Sequence, residues 1–319
     1  MFRTISEIQL HLENIFNNKK IKEFKYIIPT FSHIIDINKE SIFDKSIIND
    51  LNIGWTRAIG HEIHYCRNIL IYLKYNNLLN KDIIILTTKE KSFFYENLFK
   101  TEIITENNIN LFFDNTLHLY LVTAVNYSSF IDIYRNVYIN KKYYDDIKNF
   151  NLNVITNQNK YVLIHQRYTN DINIIINIIN KILNKYHHIH IYIFSESLNN
   201  PIQNDKIICF NNIKEYFSLL NSKNCNLLIT PISGLGEMAN YIGNCNVLIL
   251  NDNPFTSNIY YDKIKNFHNK NKFDSFDYDN YFYLMPLDQN FRYILDITKP
   301  ENLKNIDNEI DLILEKNIF

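Results

Sequence analysis

The chain has 319 residues, enough for two domains at roughly 150 residues each. Lys plus Arg number 33 against 34 Asp plus Glu, so there is no basic excess to neutralise the phosphates of a nucleic acid. An apolar share of 46% supplies sizeable cores. No run approaches the ~20 apolar residues that cross a bilayer, the longest, Ile172 to Leu183, being broken by Asn173, Asn177, Asn180 and Lys181.

The opening residues, MFRTISEIQLHLENIF, lack the continuous apolar stretch of a secretion signal, which gives a cytoplasmic expectation. Ile53 to Gly60 reads as a loop and His61 to Lys74 as a helix. Asp82 to Thr87 reads as a strand, Phe93 to Phe99 as a short helix and Leu117 to Val125 as another strand. Residues 151 to 159 form a polar linker. Beyond it the pattern is regular. Tyr161 to His165 reads as a buried strand, Asp171 to Tyr186 as a helix, and His188 to Phe194 as an alternating, half-buried strand. Lys206 to Phe210 is a strand, Ile213 to Asn221 a helix, and Cys225 to Thr230 a strand. A helix from about Gly234 to Ile242 and a last strand, Val247 to Leu250, close the series. Pro300 to Lys316 makes a final helix with Pro in its first turn. Such alternation signals βαβ units around a mainly parallel sheet. We expect two Rossmann-like domains, residues 1–155 and 156–319, with the final helix a candidate to pack back on the first.

Asn, Ile, Lys and Tyr dominate the composition, as in a gene rich in A and T, whereas Gly, Ala, Arg and Trp are scarce. A residue kept against that bias marks a position where its commoner substitute fails. Gly54, Trp55, Arg57, Ala58 and Gly60 crowd together, with Arg67 just after, and Gly234, Gly236, Ala239 and Gly243 form a second cluster. All five glycines fall in these two segments. Asn, which tolerates positive φ, is expected to serve the ordinary turns. Glycine is then left for places where backbone must approach something closely. The cysteines Cys66, Cys209, Cys225 and Cys245 have no metal-ligand spacing and read as small buried hydrophobes.

Two segments carry the candidate chemistry. In Ile229 to Ala239 (ITPISGLGEMA) a buried strand runs into a Ser-Gly-x-Gly turn and a helix start. That geometry aims backbone N–H groups at the crevice beyond the strand's carboxyl end, where a phosphate or other anion sits. Ser233 is placed to cap the helix and touch the phosphate, and Glu237 to bind sugar or ribose hydroxyls. The alternative is an ordinary glycine turn with Glu237 in a capping role. The other segment, His165-Gln166-Arg167, ends the strand that opens the second domain and puts His165 and Arg167 on one face. An Arg where Lys is the default cation suits the two-pronged grip on a phosphate.

The order of these features resembles that of GT-B glycosyltransferases, and of the fucosyltransferase superfamily in particular. Members of that superfamily open the nucleotide-binding domain with a strand ending in His-x-Arg. The resemblance implies that Arg167 holds the donor diphosphate beside His165. Tyr192-Ile193-Phe194-Ser195-Glu196 is similar to a second block of the superfamily, with Glu for Asp, and implies donor contacts by Ser195 and Glu196. Ser233 to Ala239 matches the third block and implies donor contacts by Ser233, Gly234, Gly236 and Glu237. Gly60-His61-Glu62 resembles a diverged Gly-rich loop of the first domain. It implies Gly60 as a donor contact and His61 or Glu62 as the catalytic base, supported by His64 and Arg67.

On this reading the substrates are a nucleotide-diphosphate sugar, GDP-fucose-like by preference, and a glycan or protein hydroxyl. Transfer is by metal-independent displacement, so neither cofactor nor metal ion is expected. A UDP-N-acetylglucosamine 2-epimerase-like enzyme and a non-catalytic sugar- or partner-binding protein are the alternatives. Asp277-Tyr278-Asp279 and the histidines His187, His188 and His190 are weaker candidates for a metal.

Overall fold

The computed structural model describes residues 25–31, 63, 67–104, 116–121, 141–155, 159–167, 172–195, 204–231, 233, 235–240, 242, 245–251, 292–297, 308, 311–312 and 314–315. The chain divides into two compact units, Met1–Asn151 and Leu152–Phe319. Among the described residues no helix is long and apolar enough to cross a membrane.

In the first unit, β1 (Tyr26–Phe31), β2 (Ile84–Thr87), β3 (Lys100–Ile103) and β4 (Thr116–Leu121) form a parallel sheet in the order β3-β2-β1-β4. Helices α1 (Asn68–Tyr75) and α2 (Lys141–Lys148) accompany it. Three of these elements escape the sequence pattern, each for a physical reason. Pro29 inside β1 argues against an inner strand. Pairing of β1 with β2, however, covers only Tyr26 and Ile27, so the missing N–H costs no bond on that side. Strand β3 is an edge strand whose polar sequence, KTEI, suits a half-exposed position. Helix α2 is short and strongly polar, with only Ile147 fully buried among its described side chains.

The helix expected over Phe93 to Phe99 is instead a 3₁₀ turn, Ser92–Phe94, followed by further turns. Phe93, Phe94 and Tyr95 are all buried. An α-helix spreads three successive side chains around its axis and cannot bury them on one face. At the end of α1, Asn77 takes φ 56°. Its N–H donates to Lys74 O and that of Leu78 to Leu73 O, at 3.1 and 2.9 Å. This is a Schellman cap with Asn in the usual place of glycine.

The second unit holds a six-stranded, all-parallel sheet. Its strands are β5 (Tyr161–Gln166), β6 (His190–Ser195), β7 (Ile207–Phe210), β8 (Cys225–Pro231), β9 (Asn246–Asn251) and β10 (Arg292–Asp296), in the order β10-β9-β8-β5-β6-β7. Numbered within the unit, this is 6-5-4-1-2-3, the doubly wound order of dinucleotide-binding sheets. The series does not close at β9 as the pattern suggested. Strand β10 extends it, far along the chain and too short to stand out as an apolar run.

Helix α3 (Ile172–Lys185) buries Ile174, Ile175, Ile178, Ile179 and Ile182, at helical spacing. They pack on Val162, Ile164, Ile191, Ile193, Leu227 and Ile229 of the adjoining strands. Each such side chain contributes about 1.5–3 kcal/mol by leaving water. The alternate residues of β5 face the other way. The Tyr161 hydroxyl donates to Leu219 O of α4 (Ile213–Leu220) at 2.7 Å, and His165 stacks near Tyr216. Helices therefore cover both faces. Asn212 caps α4 by accepting from Glu215 N–H at 3.0 Å. The described residues of the final helix, 308, 311–312 and 314–315, lie in this unit. Leu314 is fully buried in the α3 core, and Lys181 pairs with Asp311 at 3.0 Å.

Candidate functional site

The strand order reverses between β5 and β8, where successive crossovers leave in opposite directions and open a crevice beyond the carboxyl ends. His165, the penultimate residue of β5, lies at this point and is buried, as is Thr230 near the end of β8. The His165 Nδ1 atom is 3.3 Å from Thr230 Oγ1 and 3.2 Å from Ser233 Oγ. Ser233 Oγ also accepts the Gly236 N–H at 3.0 Å, which is the capping role expected of it.

The Thr230 hydroxyl bears on which ring nitrogen carries the imidazole proton. Thr230 donates its one hydroxyl proton to Pro231 O at 3.0 Å, so it turns a lone pair towards Nδ1. A proton on Nδ1 makes both of its contacts favourable, the two hydroxyl oxygens sharing it. In that tautomer Ser233 accepts from both Gly236 N–H and His165; in the other its O–H donates to Nδ1. Burial, and then the positive charge of Arg167, push the His165 pKa down to about 3. The ring is neutral at physiological pH and works as a hydrogen-bonding scaffold, not a cation. Phe194 and Tyr216 pack on it with centroids 5.7 and 5.9 Å away, and Phe194 lies 5.1 Å from Tyr216.

Arg167 follows directly on β5 and is half-buried. Ser195 ends β6, buried and paired in register with Gln166. The structure thus brings His165, Arg167, Ser195 and Ser233 to the carboxyl edge of one sheet. The helix expected from Gly234 is shorter than the sequence suggests, a 3₁₀ turn over Gly236–Asn240. A Cβ on Gly236 would come within 2.6 Å of Thr230 Oγ1 and 3.1 Å of Pro231 O. Close packing on the strand end therefore requires this glycine. So short a turn also offers little of the dipole that a full helix would aim at a phosphate. Side chains, not a helix terminus, supply the polarity here. Glu237 belongs to this turn. Gly60, His61, Glu62, His64, Glu196, Gly234 and the Asp277–Asp279 segment lie outside the described residues.

Arg67, expected to support the catalytic loop, is fully buried and donates to four backbone carbonyls. Its Nε donates to Phe94 O at 2.7 Å and Nη1 to Ile147 O at 2.7 Å. Nη2 donates to Asp146 O and Asn149 O, both at 2.8 Å. The guanidinium lies 4.1 Å from the Phe150 ring centroid. Arg67 therefore satisfies the terminal carbonyls of α2 and ties them to the aromatic turn.

Sequence reasoning did not single out Thr230, Gln166 or Tyr216. The carboxamide oxygen of Gln166 is buried without a hydrogen-bond donor. Only its place beside His165 and Arg167 could have drawn notice. Tyr216, whose hydroxyl donates to Leu235 O at 3.2 Å, lies on a helix that the sequence marks merely as amphipathic.

His187 and His188 are exposed, and no group of three metal-ligating side chains occurs among the described residues. Burial and neighbouring Cys245 raise the Cys225 thiol well above its usual range, which leaves it an inert part of the core. Comparison with models of known protein families, with curated proteins and with solved structures returned no match.

Proposed function

We propose that the chain is a glycosyltransferase of the GT-B type that takes its sugar from a nucleotide diphosphate, GDP-fucose-like by preference. The acceptor is a glycan or protein hydroxyl. The observation that carries this reading is the cluster at the β5/β8 reversal, where Arg167, the Ser233 hydroxyl and a neutral His165 meet at the edge of a doubly wound sheet. A crevice in that position is where such sheets bind nucleotides.

Each group has a distinct part. Arg167 supplies the planar, two-pronged cation for the diphosphate oxygens and stabilises the charge that grows on them as the sugar leaves. Ser233 donates its free hydroxyl proton to the same anion. His165 is a positioning residue: as the Nδ1–H tautomer it donates to the Ser233 oxygen, which leaves the Ser233 proton for the anion. Deprotonation of the acceptor hydroxyl falls to His61 or Glu62. The diphosphate is neutralised by side chains, and the displacement runs without a metal ion.

A thermal-shift panel of GDP, UDP, dTDP, CMP and their sugars tests the reading, run on wild type and Arg167→Ala. A ligand at 100 times its dissociation constant stabilises by about 2.7 kcal/mol. One nucleotide family should raise the melting temperature of the wild type and fail to do so in Arg167→Ala. No shift with any member of the panel would sink the proposal.

A further inference from the structure

The first unit has an open cavity of about 570 Å³ at the amino edge of its sheet, well apart in sequence from the residues at the β5/β8 reversal. Three short segments build it: the end of α1, the turn into β2, and the approach to β3. Its volume lies within the range of small-molecule sites, ~300–1,000 Å³.

The lining has three features. Lys74, Lys81 and Lys100 line the cavity with one acid, Glu96, and with Asp82 against Lys100 the local balance is positive by one charge. Lys74 is fixed in place, donating to Leu98 O at 2.9 Å and lying 5.3 Å from the Phe99 centroid. Lys100 is only loosely held by Asp82 at 3.4 Å, with both side chains largely exposed. The floor is apolar, formed by buried Ile83 and Leu98 with half-buried Phe99. The remaining wall carries the carboxamides of Asn77 and Asn80, which offer donors and acceptors side by side.

We infer that this cavity binds an acidic saccharide. A pyranose has an apolar C–H face for the Phe99 floor and hydroxyls that both donate and accept, which carboxamides match. A carboxylate on the ring answers the lysine excess, and a neutral sugar leaves that excess uncompensated. As an anchor for an anionic glycan acceptor the site rests on the glycosyltransferase reading; as a saccharide site it stands alone.

The test is calorimetric titration of the full chain, without nucleotide, using three probes: a hyaluronan tetrasaccharide, neutral chitotetraose and sodium sulfate. The same titrations are run on the double variant Lys81→Gln, Lys100→Gln, whose substituted side chains are exposed and whose fold is checked by thermal melting. The acidic tetrasaccharide should bind the wild type, and the double variant should bind it at least tenfold more weakly. Chitotetraose and sulfate should bind at least tenfold more weakly than the tetrasaccharide. Absent binding of the tetrasaccharide, equal binding of the neutral sugar or of sulfate, or unchanged affinity in the variant would each overturn the inference. A nucleotide-induced thermal shift that persists in the double variant separates failure here from failure of the nucleotide-sugar proposal.

Discussion

Arg67 and Arg167 stand out equally in a chain that otherwise prefers Lys, yet the structure gives them opposite surroundings. Arg67 is sealed in the first unit, its fork consumed by the carbonyls of Phe94, Asp146, Ile147 and Asn149. Arg167 stands half-buried where the strand order of the second unit reverses, beside a histidine that is kept neutral and lies within hydrogen-bond reach of Ser233. Scarcity therefore marks a geometric demand that Lys cannot meet, and it does not say whether protein or ligand makes the demand. The same holds for Gly236, whose missing Cβ is required by Thr230 and Pro231.

The sharpest way to break this comparison is to replace Arg67. Arg67→Ala should cost about 3–5 kcal/mol, because buried carbonyls lose their donors and a cavity opens. Arg67→Lys should recover only part of that, since one ammonium cannot reach four oxygens arranged around a planar fork. Urea unfolding of both variants measures the losses. An Arg67→Lys protein within ~1 kcal/mol of wild type would show that the fork is not what holds Arg here.

Legibility followed burial. Strands β5 to β9 and helices α3 and α4 of the second unit were readable because they are faced with apolar residues at regular spacing, as Ile174 to Ile182 show. The first unit was harder because its strands are short or polar, or carry Pro29, and pair through backbone that leaves no trace in side-chain pattern. Of the site, Arg167, His165 and Ser233 could be named from motif order. Thr230 could not, since its role comes from a register between strands β5 and β8 that lie far apart in sequence. Nor did the sequence separate Arg67 from Arg167, because the carbonyls that engage Arg67 lie 27 to 82 residues away.

A second test turns on protons. His165 titrates at about 3 in the folded chain against 6.5 when unfolded. Above pH 6.5 neither state holds the proton and stability does not depend on this group. Below it the unfolded chain gains a proton that the folded chain refuses. Stability should then fall by about 1.4 kcal/mol per pH unit down to pH 3, or ~2 kcal/mol at pH 5. His165→Gln should flatten that part of the profile, measured as urea stability between pH 7 and pH 4.5. Arg67→Lys, by contrast, should leave the slope unchanged. If His165→Gln keeps the wild-type slope, the pH dependence belongs to another group and the neutral scaffold at the crevice is disproved.

The smallest effect tests the premise behind the comparison, that Asn does glycine's work in the turns and so leaves glycine for close contacts. Asn77 holds φ 56° at the end of α1 with both cap bonds in place. Replacing it by Ala should cost ~1 kcal/mol, because a Cβ without a compensating polar group strains the left-handed region. Replacing it by Gly should be neutral or stabilising by up to ~0.5 kcal/mol, as glycine takes that conformation without strain but brings a more disordered unfolded chain. The ordering Gly ≥ Asn > Ala, read from thermal unfolding midpoints, supports the substitution logic. An Ala variant as stable as wild type would mean that the turn relaxes out of the left-handed region, and Asn there would then reflect composition alone.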